Sequence, residues 1–425
     1  MAPAPADTRS APRAEHERGR GDAHVPAAGP LRILVCPHEL VTGGSQLIAI
    51  DLAARLRDRG HVVAVYAPRG PLEERLRERG LTWHPAPRFR GDSLHPAAVA
   101  RFLRELRAFE PDIVHTYESG PALVAGVAAA ALPLRHIESV LSMWVPPHVP
   151  DGVPLLVGTV AIARQVAPRR GPVLLMEPPV DTVADAPGDR VAARERLGVD
   201  AGAFVVSVVG RLSREHGKAR GVIEAIGELD RLGDPAPGAR PVLLVAGAGD
   251  EEGAVREAAG RARIDVRMLG DVPDPRDVYD AADVAFGMGA SALRALAHAR
   301  PVIVQGEGGF WRLVEPASAA GFLQHGFFGA GAAGQGLGAL VAALAADPDR
   351  RRDLGGYGRM LVAERFSAER AVDRLEDLYM SEAAVPAARR PREALRALVR
   401  YGRLRAALAA PAAQRAWRRR RGRDV

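Results

Sequence analysis

The one lysine of this chain is the residue whose placement most clearly indicates chemistry. Of the 58 lysines and arginines, 57 are arginines, and Lys218 follows Gly210 and Arg211 in a loop between a β-branched run and a helical pattern. Lysine is a compact point charge where arginine is a planar fork, and helix N-termini with nearby cations bind anions. Arg211 and Lys218 are therefore predicted to bind a phosphate group. The alternative is that one lysine survives by chance in an arginine-rich composition.

Glycines follow several predicted strands at the points where helices begin. A residue without a Cβ lets backbone N–H groups approach a phosphate or a sugar closely. Their spacing matches neither a dinucleotide fingerprint nor a Walker loop, so binding of NAD or ATP is poorly supported. The glycines expected to contact a ligand are Gly43, Gly44, Gly210, Gly247, Gly249, Gly308 and Gly309.

Two successive series of alternating strands and helices must position these loops. The first series has strand-like segments at 31–36, 61–67, 112–116, 136–140, 155–158 and 173–176, and the second at 204–209, 241–247, 266–270, 283–287 and 301–305. Pro178 and Pro179 interrupt the alternation, because paired prolines fit neither a helix nor a central strand. The pattern predicts an α/β protein of two doubly wound, Rossmann-like domains. Loops at the carboxyl ends of their strands should face each other across a cleft.

The predicted organisation has five parts. A disordered leader over 1–30 lacks the apolar core of a secretory signal. It is followed by one domain over 31–178, a second over 179–364, and a final helix over 365–382 that could cross back to the first domain. A basic tail covers 383–425. The single cysteine, Cys36, lies in an apolar run and is expected to be a buried, inert thiol.

Positive charge is concentrated at the C-terminal end. Residues 389–425 carry thirteen arginines against Glu393 and Asp424, a net charge of +11, so the preceding residues carry −4 of the total of +7. Four arginines, Arg392, Arg396, Arg400 and Arg403, fall on one stripe of a helical wheel. Such a segment can rest on an anionic membrane surface; a solvated, disordered end is the alternative. Nucleic acid is not an expected partner, because no aromatic platform accompanies the charges.

The location expected from these features is cytoplasmic, with peripheral attachment at the inner face of the cell membrane. No run of eighteen or more uncharged apolar residues predicts a membrane span. No metal site is expected either, because Asp347-Pro348-Asp349 fits a turn and a helix N-cap better than a metal ligand set.

Taken together, the motifs resemble the retaining GT-B-fold glycosyltransferases of family 4, in the form of an actinobacterial-type group 1 enzyme, over residues 31 to 380. The resemblance is carried by Gly43-Gly44, Val209-Gly210-Arg211-Leu212, Leu244-Val245-Ala246-Gly247-Ala248-Gly249, Leu269-Gly270-Asp271-Val272, Val278 to Val284, Arg300-Pro301-Val302-Ile303-Val304, the glycine turn after 305, and Phe366-Ser367. It implies a nucleotide-sugar donor, a UDP- or GDP-sugar, on the second domain and a hydroxyl acceptor on the first. Arg211 and Lys218 would neutralise the diphosphate, and no cofactor is implied, since the nucleotide-sugar is a substrate.

The chain departs from the family pattern around the donor. Where the family places two glutamates eight positions apart, this sequence has Phe286 and Arg294. Ser291 and Glu307 are candidates to supply the missing contacts. The family lysine stands five residues after the arginine, where this chain has His216, so Lys218 lies two positions late. Arg220 is therefore a competing candidate.

The first domain also departs from the pattern, because the segment Ser139 to Trp144 offers no histidine near the sugar. His115, at a strand end, is the substitute candidate for a catalytic histidine; a structural histidine with satisfied hydrogen bonds is the alternative. Glu118 and Glu138 lie near the predicted cleft, and at least one of them is expected to be a solvated surface acid.

The function implied is transfer of a hexose from a nucleotide-sugar to a hydroxyl of a saccharide, a lipid-linked glycan or a natural product. The anomeric configuration would be retained through front-side attack, with the leaving diphosphate accepting the proton of the acceptor. Two alternatives stay open: a non-catalytic protein that binds nucleotide-sugars, and a nucleotide-sugar epimerase of the same fold.

Overall fold

The computed structural model describes residues 29–88, 94–233, 241–331 and 336–409. Most of the predicted leader, residues 1–28, and the last part of the predicted basic tail, residues 410–425, lie outside these ranges.

The first domain is a seven-stranded parallel sheet in the order β3-β2-β1-β4-β5-β6-β7. Its strands are β1 (Arg32–Cys36), β2 (Val62–Ala67), β3 (Thr82–Pro85), β4 (Ile113–Tyr117), β5 (His136–Val140), β6 (Leu155–Val157) and β7 (Val173–Leu175). The connecting helices are α1 (Gly44–Asp58), α2 (Glu73–Glu78), α3 (Pro96–Phe109), α4 (Ser119–Ala128) and α5 (Val160–Val166).

Strand β1 shows why the sequence folds this way. It is an apolar run because both faces of a parallel sheet are covered by helices. Ile33 and Val35 pack in the cluster that contains the apolar side chains of α1, whereas Leu34 and Cys36 pack in the cluster on the side of α3 and α4. The Cys36 thiol is fully buried, which confirms the predicted burial.

The second domain contains a six-stranded sheet in the order β10-β9-β8-β11-β12-β13, in which only the edge strand β13 is antiparallel. Its strands are β8 (Phe204–Val209), β9 (Pro241–Ala246), β10 (Asp265–Gly270), β11 (Val284–Gly287), β12 (Val302–Gln305) and β13 (Trp311–Leu313). Its helices are α6 (Arg190–Arg196), α7 (Lys218–Leu232), α8 (Glu252–Arg261), α9 (Arg276–Ala281), α10 (Ala290–Ala297), α11 (Pro316–His325), α12 (Leu337–Ala346) and α13 (Pro348–Arg365). Asp347 caps α13 by accepting from the Arg350 N–H at 2.9 Å.

The last two helices, α14 (Ala368–Ala383) and α15 (Pro391–Ala409), both lie against the first domain. Arg59, beyond the end of α1, pairs with three carboxylates of α14, those of Glu369, Asp373 and Glu376. Helix α15 packs on α4. Residues 391–409 of the predicted tail are therefore a docked helix, which argues against the alternative of a solvated, disordered end for this part. No helix in the described ranges combines the length and apolar character needed to cross a bilayer.

Candidate active site

The loops that follow β8, β9, β11 and β12 meet at one edge of the second sheet, because these four strands are parallel. The loop after β8 runs from Gly210 through a 3-10 turn at Glu215–Gly217 and then enters α7. Two residues of this turn, His216 and Gly217, have left-handed φ values of 56° and 64°. The turn reverses the chain and brings the N-terminus of α7 to the sheet edge.

Lys218 is the first residue of α7 and is half-buried. Burial, followed by the nearby Arg211, lowers the pKa of its ammonium group. Within the described residues Lys218 forms no salt bridge with a carboxylate. The amide of Gln305 fixes the start of the helix, since its Nε2 donates to the carbonyls of Gly217 at 3.2 Å and of Lys218 at 3.0 Å. A cation without a salt-bridge partner among the described residues, and with Glu215 acting on it only at longer range, therefore stands at a helix N-terminus, where the helix dipole also favours an anion.

The neighbouring arginines, Arg211 and Arg220, differ from Lys218 because each of them forms a salt bridge with a carboxylate. Arg211 is exposed and donates to Glu215 at 3.4 Å, a long contact between two solvated side chains. Arg220 points along α7 and donates to Glu224 at 3.0 Å. Arg211 can be released at little cost, because exposed ion pairs contribute little. The Arg220–Glu224 pair is also exposed and contributes little, but it directs the guanidinium of Arg220 along its own helix.

Glu307 approaches the same turn from the loop after β12. Its carboxylate lies 3.7 Å from Nδ1 of His216, whose ring packs edge-on against Phe328. Burial raises the pKa of Glu307 and lowers that of His216. The structure thus brings Arg211, Lys218 and Glu307 to one edge, as their predicted roles require.

The predicted glycines fall into two groups. Gly247 and Gly249 lie where the loops after β8 and β9 pack too closely for a side chain. A Cβ at Gly247 would lie 1.8 Å from the carbonyl oxygen of Gly210, and one at Gly249 would lie 2.2 Å from that of Leu212. By contrast, a Cβ at Gly44 would meet no atom within 4 Å. At Gly43 a Cβ would meet only the flexible side chain of Gln46.

The turn after β12 needs its glycines for backbone conformation. Gly308 and Gly309 have φ values of 66° and 81°, both left-handed, a region that glycine occupies without strain. A Cβ at Gly309 would meet no atom within 4 Å. This turn is therefore open on the side where a ligand could approach its backbone.

Ser291 and Arg294, on α10, each already have a hydrogen-bond partner within the protein. The Ser291 hydroxyl accepts from the N–H of Met288 and donates to its carbonyl, so it shapes the start of the helix. Arg294 donates to both oxygens of Asp185, at 2.9 and 2.7 Å. Asp185 lies in the segment joining the two domains. In this structure Arg294 ties that segment to α10.

His115 does not reach the cleft, which corrects the catalytic role expected of it. It is fully buried in β4, with Nδ1 2.6 Å from the Tyr379 hydroxyl and Nε2 2.8 Å from the Ser139 hydroxyl. Burial, with a smaller contribution from His136, lowers its pKa to about 3. Both ring nitrogens are used, so His115 links β4 to β5 and to α14.

The two glutamates near the predicted cleft have different surroundings. Glu138 is fully buried on β5, and neither carboxylate oxygen has a hydrogen-bond partner among the described residues; burial raises its pKa. Glu118 ends β4 with φ 68° and ψ 169°, a region that is strained for any residue but glycine. Its carboxylate accepts from the N–H groups of Leu141 and Ser142 and from the Ser142 hydroxyl. Neither is a freely solvated acid.

A cluster after β1 was not predicted as a site. His38 and Glu39 follow the strand end, and Nε2 of Gln46 lies 3.2 Å from His38 Nε2 and 2.9 Å from Glu39 Oε1. The signal in the sequence is a His-Glu pair directly after a strand, two residues beyond Cys36. His38 thus provides an imidazole at the edge of the first domain, whereas His115 is buried within β4.

No group of three or more histidine, cysteine or acidic side chains that could hold a metal ion occurs in the part of the chain that the structure describes.

Comparisons with known proteins agree with this architecture. The model of Glycosyltransferase Family 4 matches residues 42–155, and that of Glycosyl transferases group 1 matches residues 203–334. A curated relative from Geodermatophilus obscurus, D-inositol 3-phosphate glycosyltransferase, is 30% identical over 403 residues, covering 81% of this chain and 86% of the relative.

Solved structures share the fold at low sequence identity. HepE from Anabaena, crystallised with UDP, has a TM-score of 0.65 and 17% identity, covering 83% of this chain and 100% of HepE. A glycosyltransferase from Rickettsia africae has a TM-score of 0.66 and 13% identity, covering 83% of this chain and 98% of its own. The chain belongs to the family 4, group 1 glycosyltransferases and has their GT-B fold.

Proposed function

We propose that the protein transfers a hexose from a nucleotide-sugar to a hydroxyl acceptor with retention of anomeric configuration. The observation that carries this proposal is Lys218, the only lysine of the chain, which stands without a carboxylate partner among the described residues at the N-terminus of α7. A diphosphate is the group that would complete this arrangement. HepE, of the same fold, has been crystallised with UDP and with UDP-glucose, which supports a UDP-sugar as the first donor to test.

The proposed chemistry needs positioning and positive charge. The bond from the anomeric carbon to the phosphate oxygen breaks with its electron pair going to the diphosphate, and the acceptor oxygen bonds the same carbon on the same face. The proton of the acceptor passes to the departing phosphate oxygen. Lys218, Arg211 and the N-terminus of α7 stabilise the negative charge that develops there. Gln305 holds the helix start in place.

The acceptor belongs to the first domain in this proposal. The loops after β1, β4 and β5 form its edge, and they carry His38, Glu118 and Ser142. The relative named D-inositol 3-phosphate glycosyltransferase makes inositol 3-phosphate the first acceptor to test, beside saccharides and lipid-linked glycans.

A second candidate is a non-catalytic protein that binds a nucleotide-sugar. The observation favouring it is Arg294, which stands at this position of α10 and pairs with Asp185. Because the residue is an arginine, this position offers a ribose no carboxylate.

Product analysis separates the candidates. The purified protein is incubated with UDP-glucose or GDP-glucose and inositol 3-phosphate or a saccharide panel, and both nucleotide release and the anomeric proton coupling of the product are measured. We expect nucleotide release and an α-linked product from the α-configured donor. A β-linked product would contradict retention. Saturable nucleotide binding without turnover on any acceptor would favour the binding protein.

A further inference from the structure

Helix α15 is attached to the first domain by one of its faces. Ala394 and Ala397 are 3% and 2% exposed, and the carboxylate of Glu393 accepts from the backbone N–H of Gly152. Arg400 donates to Asp151 at 2.7 Å. These contacts fix the rotation of the helix about its axis, so the opposite face is held outward.

That outer face, defined by Arg392, Leu395, Val399 and Arg403, mixes apolar and basic side chains. Leu395 and Val399 are 62% and 45% exposed and lie one turn apart. Arg392 and Arg403 are exposed at the two ends of this pair, and neither forms a salt bridge with another described residue. The face therefore presents an apolar pair between two uncompensated cations.

The charge of the chain limits what can cover this face. Residues 389–425 carry a net charge of +11, whereas the residues before them carry −4. A second copy docked through the same face, or the arginine-rich segment after residue 409, would bring like charges together. An occupant must be anionic and must also accept apolar side chains, two properties that a bilayer surface with acidic lipids combines.

We propose that the outer face of α15 docks on the surface of a membrane containing anionic lipids, with Leu395 and Val399 entering the interface and Arg392 and Arg403 near the head groups. This inference is independent of the proposed sugar transfer. Because α15 packs on α4, the docked part of the molecule is the first domain. A rigid helix, and not only a basic tail, then sets the orientation of the enzyme on the membrane.

Vesicle co-sedimentation of the full chain tests this docking. The vesicles are phosphatidylcholine alone or phosphatidylcholine with about one-third phosphatidylglycerol. The variants are the double substitution L395S and V399S, the double substitution R392S and R403S, and a tail variant in which Arg418 to Arg421 become serine. The matched control is V183S with V191S, because Val183 and Val191 are 82% and 62% exposed on another part of the molecule.

We expect the wild type to bind the anionic vesicles and the control to bind equally well. Each outer-face double variant should weaken binding about tenfold, with an unchanged circular dichroism spectrum. The proposal is overturned if L395S with V399S binds like the wild type while the tail variant does not bind. It is also overturned if neutral vesicles bind the wild type equally, or if no vesicle binds it; the last result would point to an acidic protein surface as the occupant.

Discussion

The cationic side chains of the candidate donor site differ in whether they already form a salt bridge with a carboxylate. Arg220 and Arg294 donate to Glu224 and Asp185 at hydrogen-bond distance, whereas Lys218 has no such partner among the described residues. Its ammonium group is half-buried with a lowered pKa. A bound diphosphate would supply the direct ionic partner that Lys218 lacks among the described residues.

His115 shows what a strand-end histidine does when it is structural. The position was visible in the sequence, but its partner Tyr379 lies 264 positions later in the chain, and no local pattern indicates that contact. The expectation of a catalytic role failed for this reason, and the alternative of satisfied hydrogen bonds describes the residue.

The buried His115 predicts a loss of stability in mild acid. Its pKa is lowered to about 3 in the folded protein against about 6.5 in the unfolded chain, so below pH 6.5 the unfolded state binds the extra proton. Stability should fall as pH drops through 6.5, by about 2 kcal/mol at pH 5 for this one group. Denaturant titrations of the wild type and H115Q from pH 7.5 to 5 measure it.

H115Q keeps a hydrogen-bond donor and acceptor but cannot titrate in this range. We expect its stability to fall less steeply with decreasing pH than that of the wild type, by about 1.4 kcal/mol per pH unit. Equal slopes for the two proteins would contradict the lowered pKa, because they would show that His115 takes up its proton at the same pH in the folded and unfolded states.

At the scale of elements, the strands that carry the site loops were predictable, whereas the edge strands β3 and β13 were not. Strand β8 has the predicted limits, 204–209, because it is an apolar run interrupted only by Ser207. Strand β5 also has the predicted limits, 136–140, and all five of its residues are buried, although His136, Glu138 and Ser139 are polar.

Strands β3 and β13 are four and three residues long and lie at sheet edges. Polar residues interrupt both segments, Thr82 and His84 in β3 and Arg312 in β13, so neither shows the apolar run that marks the equally short β7. Strand β13 also lay partly within a segment that glycines marked as a turn.

The close packing of the loops after β8 and β9 predicts a sharp difference between two glycines. Gly247→Ala should destabilise the protein by about 3 kcal/mol, because its Cβ would collide with the Gly210 carbonyl at 1.8 Å and because its φ of 152° disfavours a side chain. Thermal or denaturant unfolding measures this loss.

Gly44→Ala is the matched control, since nothing lies within 4 Å of the added Cβ. Its stability should stay within about 0.5 kcal/mol of the wild type. If both variants unfold alike, the two loops are not packed as described.

At the scale of the whole molecule, helices α14 and α15, which follow the second domain in the chain, pack on the first domain. Helix α14 places Glu369, Asp373 and Glu376 on Arg59, and α15 covers α4 of the same domain. The order of motifs was enough to predict two Rossmann-like domains and the glycosyltransferase family. The docking of α15 was not predictable, because its ion pair joins Arg400 to Asp151 across 249 positions.

The central claim, that Lys218 binds the diphosphate of a nucleotide-sugar, is tested most directly by thermal unfolding with and without UDP. At a hundred times its dissociation constant UDP should stabilise the wild type by about 2.7 kcal/mol. Lys218→Ala should lose most of this stabilisation, whereas Arg220→Ala, which removes a cation already paired with Glu224, should keep it. Loss of the effect in Arg220→Ala but not in Lys218→Ala, or no effect of any nucleotide on the wild type, would contradict the account.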